Sequence, residues 1–294
     1  EVIVPSLTFV ASVNVIKYLN AEPIFMDVNE SQNLDITKTI DFLKKNTVYK
    51  NKFSYNKKTK KRISVLIVAH MWGNAVDFSE LLKICRKKNI LIIEDAAEAL
   101  GTFYKKGLNK KKHVGTIGDI GCLSFNGNKI ITTGSGGALL TKKKIYKDRI
   151  LYLAEQAKDD NVKYIHDEVG YNYRLSNLNA AFGCAQLKNL NKFLLQRKKN
   201  FEFYKKNINK IPGLNILEPS YYSKSNHWMN ILLINKKVLK KTPYYFHKEL
   251  LKEKIETRLV WRPNHLQKMY KKNECFKIEL SKKIYDSSIC IPSS

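Results

Sequence analysis

Short apolar runs alternate with amphipathic segments over the first 140 residues or so, and this alternation most limits the folds open to the chain. The apolar runs have the length of strands and are Val2–Val4, Ile24–Val28, Val65–Ala69, Ile90–Ile93, Ile120–Phe125 and Ala138–Leu140. Between them, Phe9–Leu19 and Phe78–Lys87 carry apolar residues at helical spacing, and Asp77 is placed to cap the second segment. Strands that alternate with helices are typical of βαβ units. The sequence therefore predicts an α/β domain with a mostly parallel sheet.

The second half of the chain has a different pattern. Residues 176–206 predict one long helix. After Pro212 and Gly213 we expect a strand at Trp228–Ile234 and helices at Pro243–Lys252 and Phe276–Tyr285. This order indicates a small α+β unit. We therefore predict a large domain over residues 1–206, which includes the long helix, and a smaller C-terminal domain over residues 207–294.

Composition excludes several classes of protein. Hydrophobic residues make up 44% of the sequence, but no run reaches the roughly 18 apolar residues of a membrane span. Five cysteines are widely spaced without a C-x-x-C pair, so no zinc site is predicted and a reduced cytoplasm is the simplest location. The chain starts inside a strand at Glu1 without a leader. We therefore expect it to be part of a longer protein.

The net charge of +27 raises the question of nucleic-acid binding. The lysines are spread along the chain, however, and the densest cluster, at residues 56–62, lies between predicted elements and indicates an exposed loop. A solvated, lysine-rich surface explains this charge without a nucleic-acid partner. The alternative of a non-catalytic nucleic-acid- or sugar-binding protein predicts salt-sensitive binding and no cofactor spectrum.

The segment over residues 118–137 combines a strand, a lysine and several glycines. The apolar run delivers Ser124 and Lys129 into a turn, and four glycines between residues 127 and 137 allow the backbone to approach a bulky ligand. In open α/β sheets, ligands bind beyond the carboxyl ends of the strands, where Lys129 is expected. Lys129 is also one of many lysines, so a plain surface position is the alternative.

A second polar segment follows the predicted strand Ile90–Ile93. Glu94 and Asp95 end this apolar run, and small residues come next. A carboxylate in such a place can hold the proton of a pyridinium nitrogen, which a pyridoxal-type cofactor needs. It can equally bind magnesium or cap a helix. Lys129, which follows Asp95 by 34 residues, makes the cofactor interpretation more specific.

Five segments together resemble the DegT/DnrJ-type nucleotide-sugar aminotransferases, which have the fold-type I aspartate-aminotransferase-like architecture. They are VIVPSLTFVASVNVI, EDAAEALGTFY, GDIGCLSFNGNKIITTGSGGALL, HDEVGYNYRLSNLNAAFGCAQL and ETRLVWRPNH. The resemblance implies a pyridoxal 5'-phosphate enzyme that transfers an amino group from glutamate to a nucleotide-linked keto sugar, for surface glycan or lipopolysaccharide biosynthesis. The sequence is most similar to the branch that aminates 4-keto-6-deoxy-N-acetylhexosamines for bacillosamine or legionaminic acid.

The resemblance also assigns roles to single residues. It implies that Lys129 links to the cofactor, that Asp95 pairs with the pyridine nitrogen, that Glu98 lies near the phenolic oxygen and that Ser124 binds the phosphate. Many relatives have Gln or His in place of Glu98, and a carboxylate there repels a phenolate unless one of the two is protonated. Phe9 matches the aromatic residue that stacks on the cofactor ring, with core packing as the alternative.

Other residues are implied to act between subunits or on the substrate. Asn172 matches an asparagine that reaches the cofactor phosphate of the neighbouring subunit, which implies a homodimer with a shared active site; a cap ahead of the long helix is the alternative. Arg258, His265 and His227 fall in segments that touch the sugar nucleotide in such enzymes, but each is also compatible with a surface or core position.

The resemblance leaves two related activities open and shows one departure. A 3-keto sugar aminotransferase has the same motifs, and a dehydratase of this fold has His in place of the lysine, which Lys129 opposes. Family members have about fifty residues before the Pro5–Phe9 segment, with backbone amides that hold the phosphate. That segment and the family's last helix are absent from this sequence, so we expect weaker cofactor binding by this chain.

Overall fold

A seven-stranded sheet forms the centre of the computed structural model, which describes residues 1–293. In spatial order the strands are Gly137–Leu140, Ile120–Ser124, Leu91–Asp95, Val65–Ala69, Val2–Pro5, Pro23–Met26 and Glu274–Phe276. The first pair is antiparallel and every other pair is parallel. The predicted α/β fold with a mostly parallel sheet is therefore confirmed.

Helices cover the sheet and connect its strands. The α-helices span Ala11–Tyr18, Ile36–Lys45, Ser79–Lys87, Lys144–Ala154, Asn177–Lys188, Leu190–Ile208, Lys236–Leu239, Pro243–Lys252 and Leu280–Tyr285. Short 3-10 helices span Met71–Gly73, Asn264–Leu266 and Lys268–Tyr270. Phe42 and Phe78 from the helical layer pack with Ile3, Leu66 and Ile92 from the sheet in one fully buried cluster. This burial against the apolar strands fixes the frame that carries the site.

The helix at Ser79–Lys87 begins one residue later than predicted. Phe78, not Asp77, occupies the N-cap position and forms no side-chain capping bond. The Asp77 carboxylate still accepts a hydrogen bond from the backbone N–H of Ser79 at 3.1 Å. Asp77 therefore satisfies one of the free amides of the first turn from outside the helix.

The prediction of one continuous helix over residues 176–206 was wrong. Two helices, Asn177–Lys188 and Leu190–Ile208, meet at Asn189, whose φ of −98° and ψ of 0° interrupt the helix. The Asn189 side chain donates a hydrogen bond to the carbonyl of Ala185 at 3.1 Å. An asparagine that bonds to nearby backbone in this way competes with the regular helical pattern. Apolar spacing continues across the break and did not reveal it.

The C-terminal region forms a four-stranded antiparallel sheet. Its strands, in spatial order, are Leu214–Ile216, Asn230–Ile234, Ser288–Ile291 and Arg258–Leu259. The predicted helix over Phe276–Tyr285 was too long, because only Leu280–Tyr285 is helical. Glu274–Phe276 instead extends the large sheet, where it pairs in parallel with Pro23–Met26. The C-terminal region thus contributes to both sheets, and the domain boundary at residue 206 stays a prediction.

Three small antiparallel sheets complete the architecture. Their strands are Thr47–Lys50, Phe53–Asn56 and Arg62–Ile63; Phe103–Tyr104 with Ser223–Lys224; and Lys158–Asp160 with Ile165–His166. The lysine-rich residues 57–61 form an exposed turn between two strands of the first sheet, so the cluster expected as an exposed loop is a hairpin. Across residues 1–293, no helix has both the length and the apolarity needed to cross a bilayer.

Candidate active site

A cavity of about 340 Å³ opens at the carboxyl edge of the large sheet. Asp95 and Ser124 are the last residues of two neighbouring parallel strands, and Lys129 follows five residues after Ser124. Phe9, from the loop after the Val2–Pro5 strand, lines the same cavity as these three residues. Because parallel strands end at one edge of the sheet, the fold gathers side chains that are far apart in the sequence.

Two hydrogen bonds hold the Asp95 carboxylate at the edge of the cavity. The hydroxyl of Ser12 donates to its Oδ2 atom, and the backbone N–H of Ala97 donates to Oδ1 at 3.1 Å. Ser12 lies in the first turn of the Ala11–Tyr18 helix. A carboxylate fixed from both sides keeps one orientation towards a ligand.

Glu94, the other member of the acidic pair, faces the opposite side of the sheet. It is fully buried and accepts hydrogen bonds from the backbone N–H groups of Gly115, Ile117 and Gly118 at 2.8, 2.6 and 2.6 Å. His70 Nε2 also lies 2.9 Å from its Oε2 atom, and these partners lower the Glu94 pKa. Successive residues of a strand point to opposite faces, so Glu94 anchors a loop while Asp95 faces the cavity.

Glu98 and Lys129 both line the cavity, and the charge of each affects the pKa of the other. Burial raises the Glu98 pKa to about 8, with Asp95 adding to the effect, so this carboxyl is mostly protonated at neutral pH. Its Oε2 atom accepts the backbone N–H of Trp72 at 2.7 Å. Burial also lowers the Lys129 pKa, although the nearby acids oppose that change. Lys129 is therefore more readily deprotonated than a surface lysine, which makes it a better nucleophile and base.

Aromatic side chains form one wall of the cavity. Trp72 and Trp261 have ring centroids 4.8 Å apart, and Trp228 stacks on Trp72 at 6.5 Å. Phe9 contacts Trp261 with centroids 5.1 Å apart and is 49% exposed, so it does not belong to the core. The Lys129 ammonium lies 4.0 Å from the Trp228 ring centroid, a distance at which a cation is attracted to the ring.

Trp72 is held in an unusual backbone conformation. Its φ of 58° lies in the left-handed region, which costs a bulky residue free energy. Its indole N–H donates to Gln32 Oε1 at 2.8 Å, in addition to the backbone bond to Glu98. These contacts keep a strained residue beside the reactive groups, which is a recurring property of functional sites.

Of the three residues expected to touch the substrate, one lines the cavity. Arg258 does so, and its guanidinium is exposed and 3.1 Å from Glu256. His265 does not line the cavity; its Nδ1 atom is 2.5 Å from Ser6 Oγ, and burial lowers its pKa. His227 stacks on Phe201 with centroids 4.3 Å apart.

His227 and Asn172 both lie away from the cavity of their own chain. His227 lines a separate groove of about 800 Å³, and burial lowers its pKa to about 4. Its neighbour Trp228 faces the cavity instead, so the two side chains point to opposite sides. Asn172 is exposed and forms an isolated backbone bridge with Glu155. It caps neither of the two helices that follow, because Ser176 and Asn189 occupy those positions.

The sequence analysis missed Ser12 and two tryptophans of the wall, Trp72 and Trp261. Ser12 lies three residues after Phe9 in the predicted helix Phe9–Leu19. Residues three apart lie on the same face of a helix, so Ser12 could have been expected near Phe9. The tryptophans carried a signal in their number, since Trp72, Trp228 and Trp261 are the only three in the sequence. Their positions in separate segments gave no indication that they meet.

A sequence profile of the DegT/DnrJ/EryC1/StrS aminotransferase family matches residues 1–294. The chain belongs to this family. The expected enzyme class, a pyridoxal-phosphate-dependent aminotransferase, is thereby confirmed, and the cavity with Asp95 and Lys129 is the candidate site for that chemistry.

Relatives act on sugars with different nucleotides, according to their names. The chain is 37% identical to GDP-perosamine synthase of Escherichia coli O157:H7 over 271 residues, which cover 92% of this chain and 67% of the relative. It is 30% identical over 296 residues to UDP-4-amino-4,6-dideoxy-N-acetyl-beta-L-altrosamine transaminase of Campylobacter jejuni, covering 99% of this chain and 73% of that one. The resemblance to the family is thus confirmed, whereas the bacillosamine or legionaminic acid branch stays a proposal.

The fold also matches solved structures. Helicobacter pylori PseC, an aminotransferase involved in the biosynthesis of pseudoaminic acid, superimposes with a TM-score of 0.84 at 21% identity, covering 99% of this chain and 73% of PseC. An aminotransferase of the same family from Brucella abortus also gives a TM-score of 0.84 at 21% identity, with 99% and 74% coverage. The predicted fold class is confirmed by this likeness.

Proposed function

We propose that the chain transfers an amino group from glutamate to a nucleotide-linked 4-keto-6-deoxy sugar, with Lys129 as the residue that holds pyridoxal phosphate. One observation carries this proposal: a lysine with a lowered pKa and an oriented aspartate share one cavity at the carboxyl edge of the sheet. Transamination needs both an amine that can lose its proton and an acid that stays charged.

The residues of the cavity suit pyridoxal phosphate. Lys129 supplies a primary amine. Its ammonium lies over the Trp228 ring and forms no hydrogen bond to any of residues 1–293. Asp95 supplies a fixed carboxylate for a protonated ring nitrogen, and the Ser124 hydroxyl is available to a phosphate oxygen. Phe9 supplies an exposed aromatic face. The aldehyde, the ring nitrogen and the phosphate of the cofactor therefore each have a complementary side chain.

Each side chain has a distinct task in the reaction. Bound pyridoxal phosphate supplies a carbonyl that carries the amino group and a ring that withdraws electrons. Asp95 keeps the proton on the ring nitrogen by charge, while Lys129 accepts a proton from the donor carbon and returns it. Protonated Glu98 donates a hydrogen bond and does not repel an oxygen anion nearby. The aromatic wall excludes water from these groups.

The substrate proposal draws support from the relatives. Enzymes that share 30% or more of their residues with this chain carry names with GDP- or UDP-linked amino sugars, and one is a lipopolysaccharide biosynthesis protein. We therefore propose a GDP- or UDP-linked keto sugar as the acceptor and surface glycan biosynthesis in the cytoplasm as the setting.

The assembly that we propose is a homodimer in which Asn172 serves the cavity of the other subunit. Asn172 is exposed and does not line the cavity of its own chain, which is compatible with such a role. Around it, apolar side chains are unusually open to solvent: Val169 is 88% exposed and Leu178 is 83% exposed. Exposed apolar patches of this kind mark protein interfaces.

Covalent labelling tests the assignment of Lys129 directly. The protein is incubated with pyridoxal phosphate and reduced with borohydride, and the peptides are examined by mass spectrometry. We expect the label on the peptide that contains Asn128, Lys129 and Ile130, and we expect glutamate to abolish labelling when it is added before the reductant. A label on another lysine contradicts the assignment.

An assay with a panel of acceptors tests the substrate. Glutamate and UDP- or GDP-linked 4-keto-6-deoxy sugars are supplied, and the aminated product is identified by mass and by the position of its new nitrogen. Amination at C4 supports the proposal, whereas amination at C3 or loss of a hydroxyl group without amination contradicts it.

A further inference from the structure

A second cavity, which we call the side chamber, adjoins the first one. Its volume is about 310 Å³. Lys129, Trp228 and Arg258 line both cavities, whereas Arg197 and Thr257 line the side chamber alone. A small molecule in the side chamber therefore lies next to the lysine that the proposed function makes reactive.

Arg197 is a partly buried cation in the wall of the side chamber. It comes from the Leu190–Ile208 helix, and its Nη1 atom donates a hydrogen bond to the Trp228 carbonyl at 2.9 Å. Ser293 Oγ donates to the same carbonyl at 2.9 Å. Burial lowers the Arg197 pKa, and no carboxylate offsets that effect. Since a guanidinium has five N–H donors, most of those of Arg197 have no acceptor among residues 1–293.

The side chamber is strongly basic. Lys129, Arg197 and Arg258 line it, and Glu256 is the one acidic residue in the wall. The contact of 3.1 Å between Arg258 and Glu256 joins side chains that are 61% and 77% exposed, so water screens it. The positive charge around Arg197 is therefore available to an anion.

The dimensions of the side chamber favour a small anion. A volume of about 310 Å³ lies at the lower end of the range of about 300–1,000 Å³ for small-molecule sites, which suits an amino acid better than a nucleotide-linked sugar. A guanidinium can bind a carboxylate through two parallel hydrogen bonds. The fixed position of Arg197 on the Trp228 carbonyl reduces the entropy lost on binding.

We propose that Arg197 binds one carboxylate of a dicarboxylic amino donor in the side chamber and thereby selects the donor for Lys129. This inference rests on the proposed function, because a donor is required only if the chain is an aminotransferase. Arg258, at the exposed side of the chamber, contributes a second positive charge for the other carboxylate.

Calorimetry with glutarate tests the inference without any reaction. Glutarate has two carboxylates and no amine, so it probes the anion site of the cofactor-free protein. We expect R197Q to weaken glutarate binding by about 10- to 100-fold, as for the loss of charge-assisted hydrogen bonds. K199Q is the matched control, because Lys199 is an exposed cation on the same helix; we expect it to change binding less than about 2-fold.

The two half-reactions of the enzyme separate donor from acceptor. In a single turnover with glutamate, R197Q is expected to raise the apparent Kd by the same factor while the rate at saturation changes little. The reaction of the amino-loaded enzyme with the keto sugar is expected to keep its KM. R197K, which keeps the charge but loses the paired geometry, is expected to fall between wild type and R197Q.

Two results overturn the inference. One is equal glutarate affinity in the wild type and R197Q; the other is a larger loss of affinity for inorganic pyrophosphate than for glutarate in R197Q, which assigns Arg197 to the nucleotide. If the labelling of Lys129 and the amination of a sugar persist in that case, the proposed function stands. Failure of the wild type to aminate any sugar, with glutarate binding still dependent on Arg197, removes the function and keeps the anion site.

Discussion

The carboxyl edge of the large sheet and the segment over residues 144–188 are built in opposite ways. At the edge, the sheet beneath the cavity contains fully buried apolar residues such as Ile3, Leu66 and Ile92, and Asp95 has partners within its own chain. In the segment, the helices Lys144–Ala154 and Asn177–Lys188 contain no buried residue at all. Both regions are rich in apolar side chains, but the edge buries many of them and the two helices of the segment bury none.

This difference in burial indicates that apolar residues stabilise the fold of one subunit at the carboxyl edge, but not in the helices of residues 144–188. Burial of apolar surface contributes about 25 cal/mol per Å², so the edge is stabilised by the chain itself. Side chains such as Leu178 and Phe182, which are 83% and 51% exposed, contribute little to the fold of a single subunit. The edge therefore carries the chemistry, and we propose that the segment carries the assembly.

Lys129→Arg gives the largest effect at the edge. Arginine keeps the positive charge but cannot form the covalent bond to the cofactor, because its guanidinium stays protonated and delocalised. We expect turnover of glutamate to fall by at least about 10³-fold and borohydride labelling of this peptide to disappear. Lys110→Arg, at an exposed position, is the control that retains activity. A Lys129→Arg variant that still turns over glutamate moves the site elsewhere.

Asp95→Asn tests whether charge or shape matters at the edge. The amide can still accept the N–H of Ala97, so the fold is expected to stay intact, but it cannot hold the proton of a ring nitrogen by charge. We expect turnover to fall by about 10²–10³-fold with a melting temperature close to that of the wild type. Turnover near the wild-type value excludes Asp95 from the site.

Mixing two inactive variants tests whether the exposed segment acts on another subunit. Asn172→Ala and Lys129→Arg each impair every site of their own homodimer. In a mixed dimer, one cavity receives both native residues, because Asn172 comes from the subunit that lacks Lys129. Random mixing is expected to restore about a quarter of wild-type turnover, since about half of the dimers are mixed and each has one complete site.

The oligomeric state is the control for this mixing experiment. Sedimentation is expected to show dimers for both variants and for the mixture. An active monomer contradicts the proposal that Asn172 acts in the cavity of the other subunit. So does the absence of recovered turnover when mixed dimers form. In either case, residues 144–188 do not have the proposed role in assembly.

The pH dependence of stability gives the smallest effect and concerns the edge alone. The folded pKa of Glu98, about 8, lies above its ordinary value of 4.5. The folded state therefore binds more protons than the unfolded state between these values, and stability falls as pH rises from about 4.5 to about 8.

Glu98→Gln removes this titration while keeping an acceptor for the Trp72 N–H. In urea unfolding of the cofactor-free protein, the free energy of unfolding of the wild type is expected to fall by about 1 kcal/mol or more relative to the variant between pH 5 and pH 8, on the order of one pKa unit. Parallel pH profiles for the two proteins contradict the raised pKa.

The sequence predicted the strands and the ends of the strands best. Apolar runs such as Val65–Ala69 are short, uninterrupted and separated by helices, so few arrangements other than a parallel sheet can bury them. Once the sheet is assumed, Asp95 and Ser124 must meet, because both end neighbouring strands. The rule that ligands bind at the carboxyl ends of strands is why Lys129 could be proposed from the sequence, whereas Ser124 came from the resemblance to the family.

Side-chain direction and helix interruption could not be predicted in the same way. Glu94 and Asp95 look equivalent in the sequence, and only the pleat of the strand separates an anchor from a site residue. His227 precedes Trp228, but its φ of 51° and its contact with Phe201 direct it into another groove. Asn189 ends one helix and begins the next within a continuous apolar pattern.

The strand Glu274–Phe276 has a consequence for synthesis of the protein. Glu274 pairs with Ile24, so the two strands leave the ribosome 250 residues apart. At about 5–20 residues per second, the outer side of Pro23–Met26 waits more than about ten seconds for its partner. During that time its free backbone groups are open to strands of other chains, so the nascent protein is most vulnerable to aggregation before Glu274–Phe276 completes the large sheet.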